Sequence, residues 1–96
     1  MWFVYLLRCT DDSLYCGITN NLLKRLNTHN KGKGSKYTRS RLPVQIVWCE
    51  EVKTKSCALK REAFIKKLSK NAKELIVKES QAKSEKMIKR QKNIQN

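Results

Sequence analysis

The stretch WFVYLLRCTDDSLYCGIT, residues 2–19, decides the fold of this 96-residue chain. Its two ends, at 2–9 and 14–19, are rich in aromatic and β-branched residues, which favour strands. The TDDS between them has the residue types of a turn, so the stretch predicts a β-hairpin. The first strand is apolar almost throughout, which predicts a central strand that is covered on both faces.

A helix is predicted directly after the hairpin. Asn20 or Asn21 can cap it, and LLKRLNTHN at 22–30 follows at helical spacing. This spacing turns three leucines toward the sheet: Leu22, Leu23 and Leu26. Polar residues at i, i+4 and i+8 lie along another face: Asn21, Arg25 and His29.

The segment KGKGSKYTRSR at 31–41 predicts a loop, because it has two glycines, five cations and one apolar residue, Tyr37. Pro43 ends this loop, and VQIVWCEEV at 44–52 predicts a third strand.

A second helix is predicted from Ser56, over CALKREAFIKKLSK. Its apolar stripe would consist of Cys57, Phe64 and Leu68, with Ala58 and Ile65 beside it. AKELIVKES predicts a further short helix. The order β-β-α-β-α indicates an α/β (α+β) fold with a small three-stranded, mostly antiparallel sheet flanked by helices.

Apolar residues concentrate before Val77. Residues 1–79 are therefore predicted to form the folded domain, and residues 80–96 a basic C-terminal arm, helical or disordered.

The net charge of +14 is large for a chain of this size. The arm holds five Lys/Arg and one Glu, so +10 of this charge lies in the body. No acidic residue occurs between Asp12 and Glu50, a window that includes seven cations. Such an excess favours a polyanionic partner, first of all nucleic acid, over the plain alternative of a soluble basic protein.

The four cysteines form no C-x-x-C pair, and His29 is the only histidine, so a zinc site is not expected. Cysteines beside apolar runs are typical of a reducing compartment, which predicts a cytoplasmic protein. The opening WFVYLL is too short for a signal peptide or a membrane span, so no membrane partner is expected.

Two tyrosine triplets, Val4-Tyr5-Leu6 and Tyr15-Cys16-Gly17, are followed by Arg25 and, four residues later, His29. GKGSKYTR and KREAFIKKL come after them. This combination, from about residue 3 to 75, resembles the GIY-YIG nuclease superfamily. It is most similar to the small stand-alone single-domain proteins of the UPF-type, URI-domain group.

The resemblance implies roles for five residues. In such families the first tyrosine acts as general base or activates the attacking water, which places Tyr5 and Tyr15 near the chemistry. Arg25 would steady the scissile phosphate, and Glu62 would hold one divalent cation, Mg²⁺ or Mn²⁺. His29 matches a position that often contributes to the site. Nucleic-acid contacts are expected from the basic segments and the second triplet: Gly17, Lys24, Lys33, Lys36, Tyr37, Arg39 and Arg41.

Each of these residues also has a purely structural interpretation. Arg25 can be a solvated helix cation, and His29 can cap the helix C-terminus as a cation. Glu62 can be an i, i+4 partner of Lys66. Both tyrosines can be packed strand aromatics, and Gly17 can relieve packing.

Two conditions apply to a shared tyrosine site. A tyrosine base needs nearby cations or metal-bound water that lower its pKa, and the positive charge of the chain predicts such a lowering. A four-residue turn would place Tyr5 and Tyr15 on opposite faces of the hairpin. A shared site therefore predicts a loop of odd length or a bulge near residues 9–14.

Three functions follow, in order of preference. The first is a divalent-metal-dependent endonuclease that hydrolyses phosphodiester bonds in DNA, including structured or repair intermediates. The second is a nucleic-acid-binding module with little or no cleavage, which the degenerate triplets favour. The third is action on RNA. No obligate protein partner is indicated.

Overall fold

A computed structural model describes the backbone of residues 1–95 and the side chains of residues 1–91. Within residues 1–95, three strands form one antiparallel sheet in the order β2-β1-β3, and five helices surround it. The strands are β1 (Trp2–Arg8), β2 (Leu14–Thr19) and β3 (Gln45–Val52). The helices are α1 (Leu22–Asn30), α2 (Lys36–Arg39), α3 (Lys55–Lys66), α4 (Lys70–Glu79) and α5 (Gln81–Gln95). The predicted fold class is confirmed.

The turn of the first hairpin has an odd number of residues. Arg8 pairs with Leu14, which leaves the five residues 9–13 between the strands. Within this turn the Asp12 N–H donates to the Cys9 carbonyl, and Asp12 adopts a positive φ of 69°. This is the hairpin loop in which a turn is followed by a left-handed residue. The predicted irregularity is thus present, and Tyr5 and Tyr15 share a face.

β1 is the central strand, as predicted, and its two faces carry two separate apolar clusters. Phe3, Tyr5 and Leu7 face one side and pack with Leu22 and Leu26 of α1 and with Met87 and Ile88 of α5. Val4 and Leu6 face the other side and pack with Ala58 and Ile65 of α3 and with Ile76 and Val77 of α4. Two-sided burial explains the continuous apolar run of β1.

The segment 31–41 is not entirely a loop, and that prediction was wrong in part. It contains α2, one helical turn that begins after Ser35, whose side chain accepts a hydrogen bond from the Thr38 N–H. A serine in this position satisfies a helix N–H that would otherwise lack a partner, which allows so short a helix to form.

The buried stripe of α3 also differs from the prediction. Ala58 and Ile65 are fully buried, whereas Cys57 is exposed and Phe64 is 55% exposed. The helix begins at Lys55 because Thr54 caps it. The helix has two apolar stripes, and it packs on the sheet through the stripe of Ala58 and Ile65. The small side chain of Ala58 allows the helix to approach β1 and β2 closely.

α4 matches the further short helix that the sequence predicted, and Ser69 caps it. α5 lies against β3, where the buried Ser84 hydroxyl accepts a hydrogen bond from the Cys49 N–H at 3.3 Å. Arg90 reaches Glu51 of β3 at 2.8 Å. The division of the chain at residue 79 stays a prediction.

All four cysteines are free thiols. Among the described residues, no helix combines the length and the apolar character needed to cross a bilayer.

An ion pair joins the end of β1 to α4. The two terminal guanidinium nitrogens of Arg8 donate to the Glu74 carboxylate, Nη2 at 2.7 Å, and both side chains are partly exposed. Such a bidentate pair fixes geometry as well as charge. The hydrogen bonds from Arg8 hold the pKa of Glu74 below its usual value.

Replacing Glu74 with Gln is expected to lower the free energy of unfolding at pH 7 by about 1 kcal/mol, the upper range for partly exposed pairs. A carboxyl group with a lowered folded-state pKa stabilises fully above its unfolded-state pKa of about 4.3. That stabilisation is lost as the pH falls through the lower folded-state value. Urea unfolding of both proteins from pH 7 to pH 3 measures it, with exposed Glu79→Gln as the control. A difference that persists undiminished at pH 3 would contradict the pairing.

Candidate active site

The Tyr5 hydroxyl joins the central strand to α1. It lies 3.0 Å from Nε2 of His29, and the Nε–H of Arg25 donates to it at 3.4 Å. Arg25 and His29 are one helical turn apart, so both reach the same hydroxyl. The structure therefore brings three of the predicted site residues into direct contact. The prediction that Arg25 and His29 lie on a face of α1 other than the sheet-facing one was wrong, because both reach Tyr5 of the central strand and His29 is fully buried.

His29 is fully buried and bound at both ring nitrogens. Its Nδ1 lies 2.9 Å from the Thr38 hydroxyl of α2, opposite the Tyr5 contact. Burial, and secondarily the charge of Arg25, lowers the pKa of His29 to about 4. The imidazole is neutral at pH 7, so its interpretation as a cationic cap of α1 was wrong.

The raised pKa of Tyr5 also corrects an expectation. Burial raises this pKa to about 12 and outweighs the hydrogen bond and the charge of Arg25, both of which lower it. The prediction that surrounding positive charge lowers the proton affinity of Tyr5 was therefore wrong. The free energy needed to desolvate a phenolate in the core exceeds the stabilisation that one nearby cation gives it.

Tyr15 and Tyr37 extend the cluster toward the surface. The Tyr15 ring lies edge-on to His29, at 5.5 Å between centroids, and stacks on Tyr37 at 5.9 Å. The Arg41 guanidinium lies 3.9 Å from the centre of the Tyr37 ring. Tyr15 is half-buried and Tyr37 is 38% exposed, so this edge of the cluster is open to solvent, whereas Tyr5 is 2% exposed.

Two glycines make room for the cluster. A Cβ on Gly17 would overlap the Tyr5 ring, and a Cβ on Gly34 would overlap the His29 ring. Gly17 is directly opposite Tyr5 in the hairpin. The structure thus gives Gly17 a packing role inside β2, and its predicted contact with nucleic acid stays a prediction.

Four of the predicted phosphate-binding cations are exposed. Among the described residues they have no ion pair with an acidic side chain: Lys24, Lys33, Lys36 and Arg39. Arg41 differs, because it pairs with Asp11 at 2.8 Å and donates to the Tyr37 carbonyl. It holds the 31–41 segment against the hairpin turn, in addition to any contact with a ligand.

Glu62 lies apart from this cluster. It is on α3, which packs against the opposite face of the sheet, and its side chain is 17% exposed. Within the described part of the chain its ion-pair partner is Lys66 at 3.4 Å, the structural alternative that the sequence offered. Its charge also contributes to raising the pKa of the Cys16 thiol, although burial is the larger cause. Cys16 lies between Tyr15 and Gly17, so Glu62 and the tyrosine cluster flank the edge strand β2 from its two faces.

The donor groups permit one kind of metal site. No set of three or more His, Cys, Asp or Glu in the described residues could enclose a metal ion. A Mg²⁺ ion is commonly held by one or two carboxylates together with phosphate oxygens and water. The residues present therefore fit a cation that Glu62 and the substrate would share.

Sequence reasoning missed two members of the site, Thr38 and Ser35. Thr38 is fully buried against His29, and Ser35 caps the turn that carries it. The available signal was Ser35 alone, a residue type that favours the N-cap, because Thr38 stands where a capping box would have Glu or Gln.

Comparison with known proteins shows the family of this chain. The GIY-YIG catalytic domain family matches residues 1–75. A UPF0213 protein of Bacillus licheniformis is 52% identical over 77 residues, which cover 80% of this chain and 79% of that protein. UPF0213 protein YazA of Bacillus subtilis is 45% identical over 83 residues, or 86% of this chain and 84% of YazA.

A solved structure gives the same result. The solution NMR structure of a UPF0213 protein from Bacillus halodurans matches with a TM-score of 0.55 and 38% identity, over 84% of this chain and 87% of that one. The chain therefore belongs to the GIY-YIG family, a family of nucleases. Its relatives within that family are the small UPF0213 proteins, which confirms the resemblance.

Replacing Gly17 with Ala is expected to lower the free energy of unfolding by about 1–3 kcal/mol, because the new methyl group overlaps the Tyr5 ring. In a Tyr5→Leu background the overlap is absent, so the same change is expected to cost much less. Urea unfolding of the four proteins gives the coupling between the two positions. Additive costs would contradict the packing of Tyr5 on Gly17.

The lowered pKa of His29 predicts a loss of stability in mild acid. As the pH falls from about 6.5 to about 4, the unfolded chain binds a proton that the folded chain does not, which removes up to about 3 kcal/mol. The His29→Gln variant lacks this titration and supplies the control. Urea unfolding at pH 7, 5.5 and 4.5 should show a steeper decline for the wild type, and parallel declines would contradict a neutral buried His29.

Proposed function

We propose that this protein is a divalent-metal-dependent endonuclease that hydrolyses phosphodiester bonds in DNA. The observation that carries the proposal is the hydrogen-bonded group of Arg25, Tyr5 and His29, set beside exposed cations that have no acidic partner among the described residues. A guanidinium, a hydroxyl and a neutral imidazole in contact are groups that can bind a phosphate and move a proton.

Arg25 is the residue we propose to bind the scissile phosphate. Its Nε–H is bound to Tyr5, and in the described residues its two terminal nitrogens make no hydrogen bond or ion pair. These nitrogens can donate to phosphate oxygens while Nε stays fixed on the tyrosine. The cluster thus holds the guanidinium in place before a substrate arrives, which reduces the entropic cost of binding.

Tyr5 and His29 are proposed to act together on the proton of the attacking water. With a pKa of about 12, the Tyr5 hydroxyl does not ionise at neutral pH without help. The Tyr5 hydroxyl can pass its proton to Nε2 of His29 while it receives a proton from the attacking water. A phosphate bound to Arg25 would offset the positive charge that contributes to lowering the pKa of His29.

Of Tyr5 and Tyr15, the half-buried Tyr15 is the one that reaches the open edge of the cluster. We propose that it contacts a phosphate oxygen from that edge, while Tyr5, which is 2% exposed, takes part in proton transfer with His29. The two tyrosines that the family resemblance groups together would then have different tasks.

Glu62 is the residue we propose to hold the cation, Mg²⁺ or Mn²⁺. When bound, such an ion polarises the phosphoryl oxygen and stabilises the leaving oxygen. β2 is an edge strand, so a phosphodiester that crosses this edge can meet Glu62 on one face and Arg25 on the other.

The exposed cations are proposed to follow the DNA backbone. Lys24 lies on α1 one residue before Arg25, and Lys33, Lys36 and Arg39 lie along the segment that covers His29. Contacts of this kind give affinity and orientation without reading the bases. Structured or repair intermediates of DNA are the substrates we propose, in the cytoplasm.

A second candidate function is a binding module that cleaves slowly or not at all. The separation of Glu62 from the Arg25 cluster favours it, because among the described residues no hydrogen bond or ion pair links the two. The raised pKa of Tyr5 favours it as well.

A cleavage assay on branched, flapped, single-stranded and duplex DNA, with Mg²⁺ or Mn²⁺, tests the proposal. Glu62→Gln keeps the shape of the side chain and removes its charge, so we expect at least about a hundredfold loss of kcat. Arg25→Lys keeps the charge and removes the fork, so we expect a loss of about 10²–10³. Lys60→Gln, at an exposed site on the same helix as Glu62, is the matched control.

Four outcomes separate the candidates. Loss of cleavage in Glu62→Gln with unchanged DNA binding supports the nuclease. Binding without cleavage by any protein, the wild type included, supports the binding module. Equal cleavage by the wild type and Glu62→Gln contradicts the role of Glu62, and preference for RNA of the same structure contradicts the substrate.

A further inference from the structure

Thr38 stands behind His29, on the side away from Tyr5. Its hydroxyl lies 2.9 Å from Nδ1, 3.2 Å from the Ser35 carbonyl oxygen and 3.1 Å from the Ser35 hydroxyl. The side chain is fully buried, so it has no route to a substrate of its own. Any effect that it has on chemistry must pass through the imidazole.

The direction of the hydrogen bonds in this group is set by Tyr5. Its hydroxyl has one proton and two polar side-chain neighbours among the described residues, Nε of Arg25 and Nε2 of His29. Arg25 can only donate. If Nε2 also carried a proton, the buried Tyr5 proton would have no acceptor, and buried donors are nearly always paired. Nε2 is therefore the acceptor.

A neutral histidine that accepts at Nε2 carries its proton on Nδ1. That proton has Thr38 Oγ1 as its acceptor. The Thr38 hydroxyl then donates its proton to the Ser35 carbonyl, which can only accept. A continuous chain of hydrogen bonds, each residue donating to the next, thus runs from Arg25 through Tyr5, His29 and Thr38 to the Ser35 carbonyl.

We propose that Thr38 is a positioning residue, which holds His29 in the tautomer whose Nε2 lone pair faces Tyr5. Its effect on cleavage rests on the proposed function. The tautomer itself can be measured whether or not the protein cleaves DNA.

This role explains why the chain forms α2, a helix of four residues. The Ser35 side chain caps the turn and brings Thr38 to Nδ1. Gly34, just before the cap, has no side chain where the His29 ring needs the space. The conformation of the 31–41 segment therefore fits the imidazole, and its positive charge suits a polyanion.

The test uses Thr38→Val, which keeps the branched shape and removes the acceptor, and Thr38→Ser, which restores the hydroxyl. His29 is the only histidine, so its two ring nitrogens can be observed without ambiguity in ¹⁵N NMR spectra of the whole protein. We expect the Nδ1–H tautomer in the wild type and in Thr38→Ser, and a mixture of tautomers in Thr38→Val. We expect kcat for DNA cleavage to fall roughly 10–100-fold in Thr38→Val, with KM unchanged, and to recover in Thr38→Ser.

Two results would overturn the proposal: an Nε2–H tautomer in the wild type, or a Thr38→Val protein that keeps both the Nδ1–H tautomer and the wild-type kcat. Should Thr38→Val fail to fold, the spectra of the wild type and Thr38→Ser still decide the tautomer. Absence of cleavage by the wild type would refute the nuclease and leave the tautomer result standing.

Discussion

The contact between the Tyr5 hydroxyl and His29 is the point on which the site depends. It joins the central strand to α1, while Thr38 on the other side of the imidazole joins α1 to the 31–41 segment. The contact exists because the five-residue hairpin turn places Gly17 opposite Tyr5 and leaves room for the ring. A turn shorter by one residue would send Tyr15 and Gly17 to the other face, and the group would not assemble.

The same contact carries opposing electrostatic effects. Burial makes the Tyr5 phenolate and the His29 imidazolium both unfavourable, while Arg25 favours the first and disfavours the second. In the free protein the group is therefore neutral apart from the guanidinium. A phosphate on Arg25 changes that balance, so the site we propose becomes able to accept a proton when its substrate is bound.

Sequence patterns predicted the strands and α1 because each follows from local periodicity. The odd hairpin turn followed from parity only because the resemblance required Tyr5 and Tyr15 to share a site, since the TDDS turn by itself is even. The patterns did not predict α2, whose single turn needs the cap of Ser35 and the contact with His29. They placed the buried stripe of α3 on Phe64 because hydrophobicity alone favours the larger side chain, whereas the sheet requires the small Ala58. They also gave the wrong direction for the pKa of Tyr5, since charge can be counted along a sequence and burial cannot. The sequence also did not predict that Arg25 and Glu62 lie on opposite faces of the sheet, because this depends on how the helices pack.

The central claim is that Arg25 and the basic segment bind one nucleic-acid backbone. The most direct measurement follows the Arg25 Nε–H signal and the backbone amides of residues 33–39 by NMR, as a short DNA is added in EDTA. We predict that both sets shift with one common dissociation constant, while the amides of Lys78 and Glu79 at the end of α4 do not. Shifts confined to α3 and α4, with Arg25 unmoved, would contradict the account.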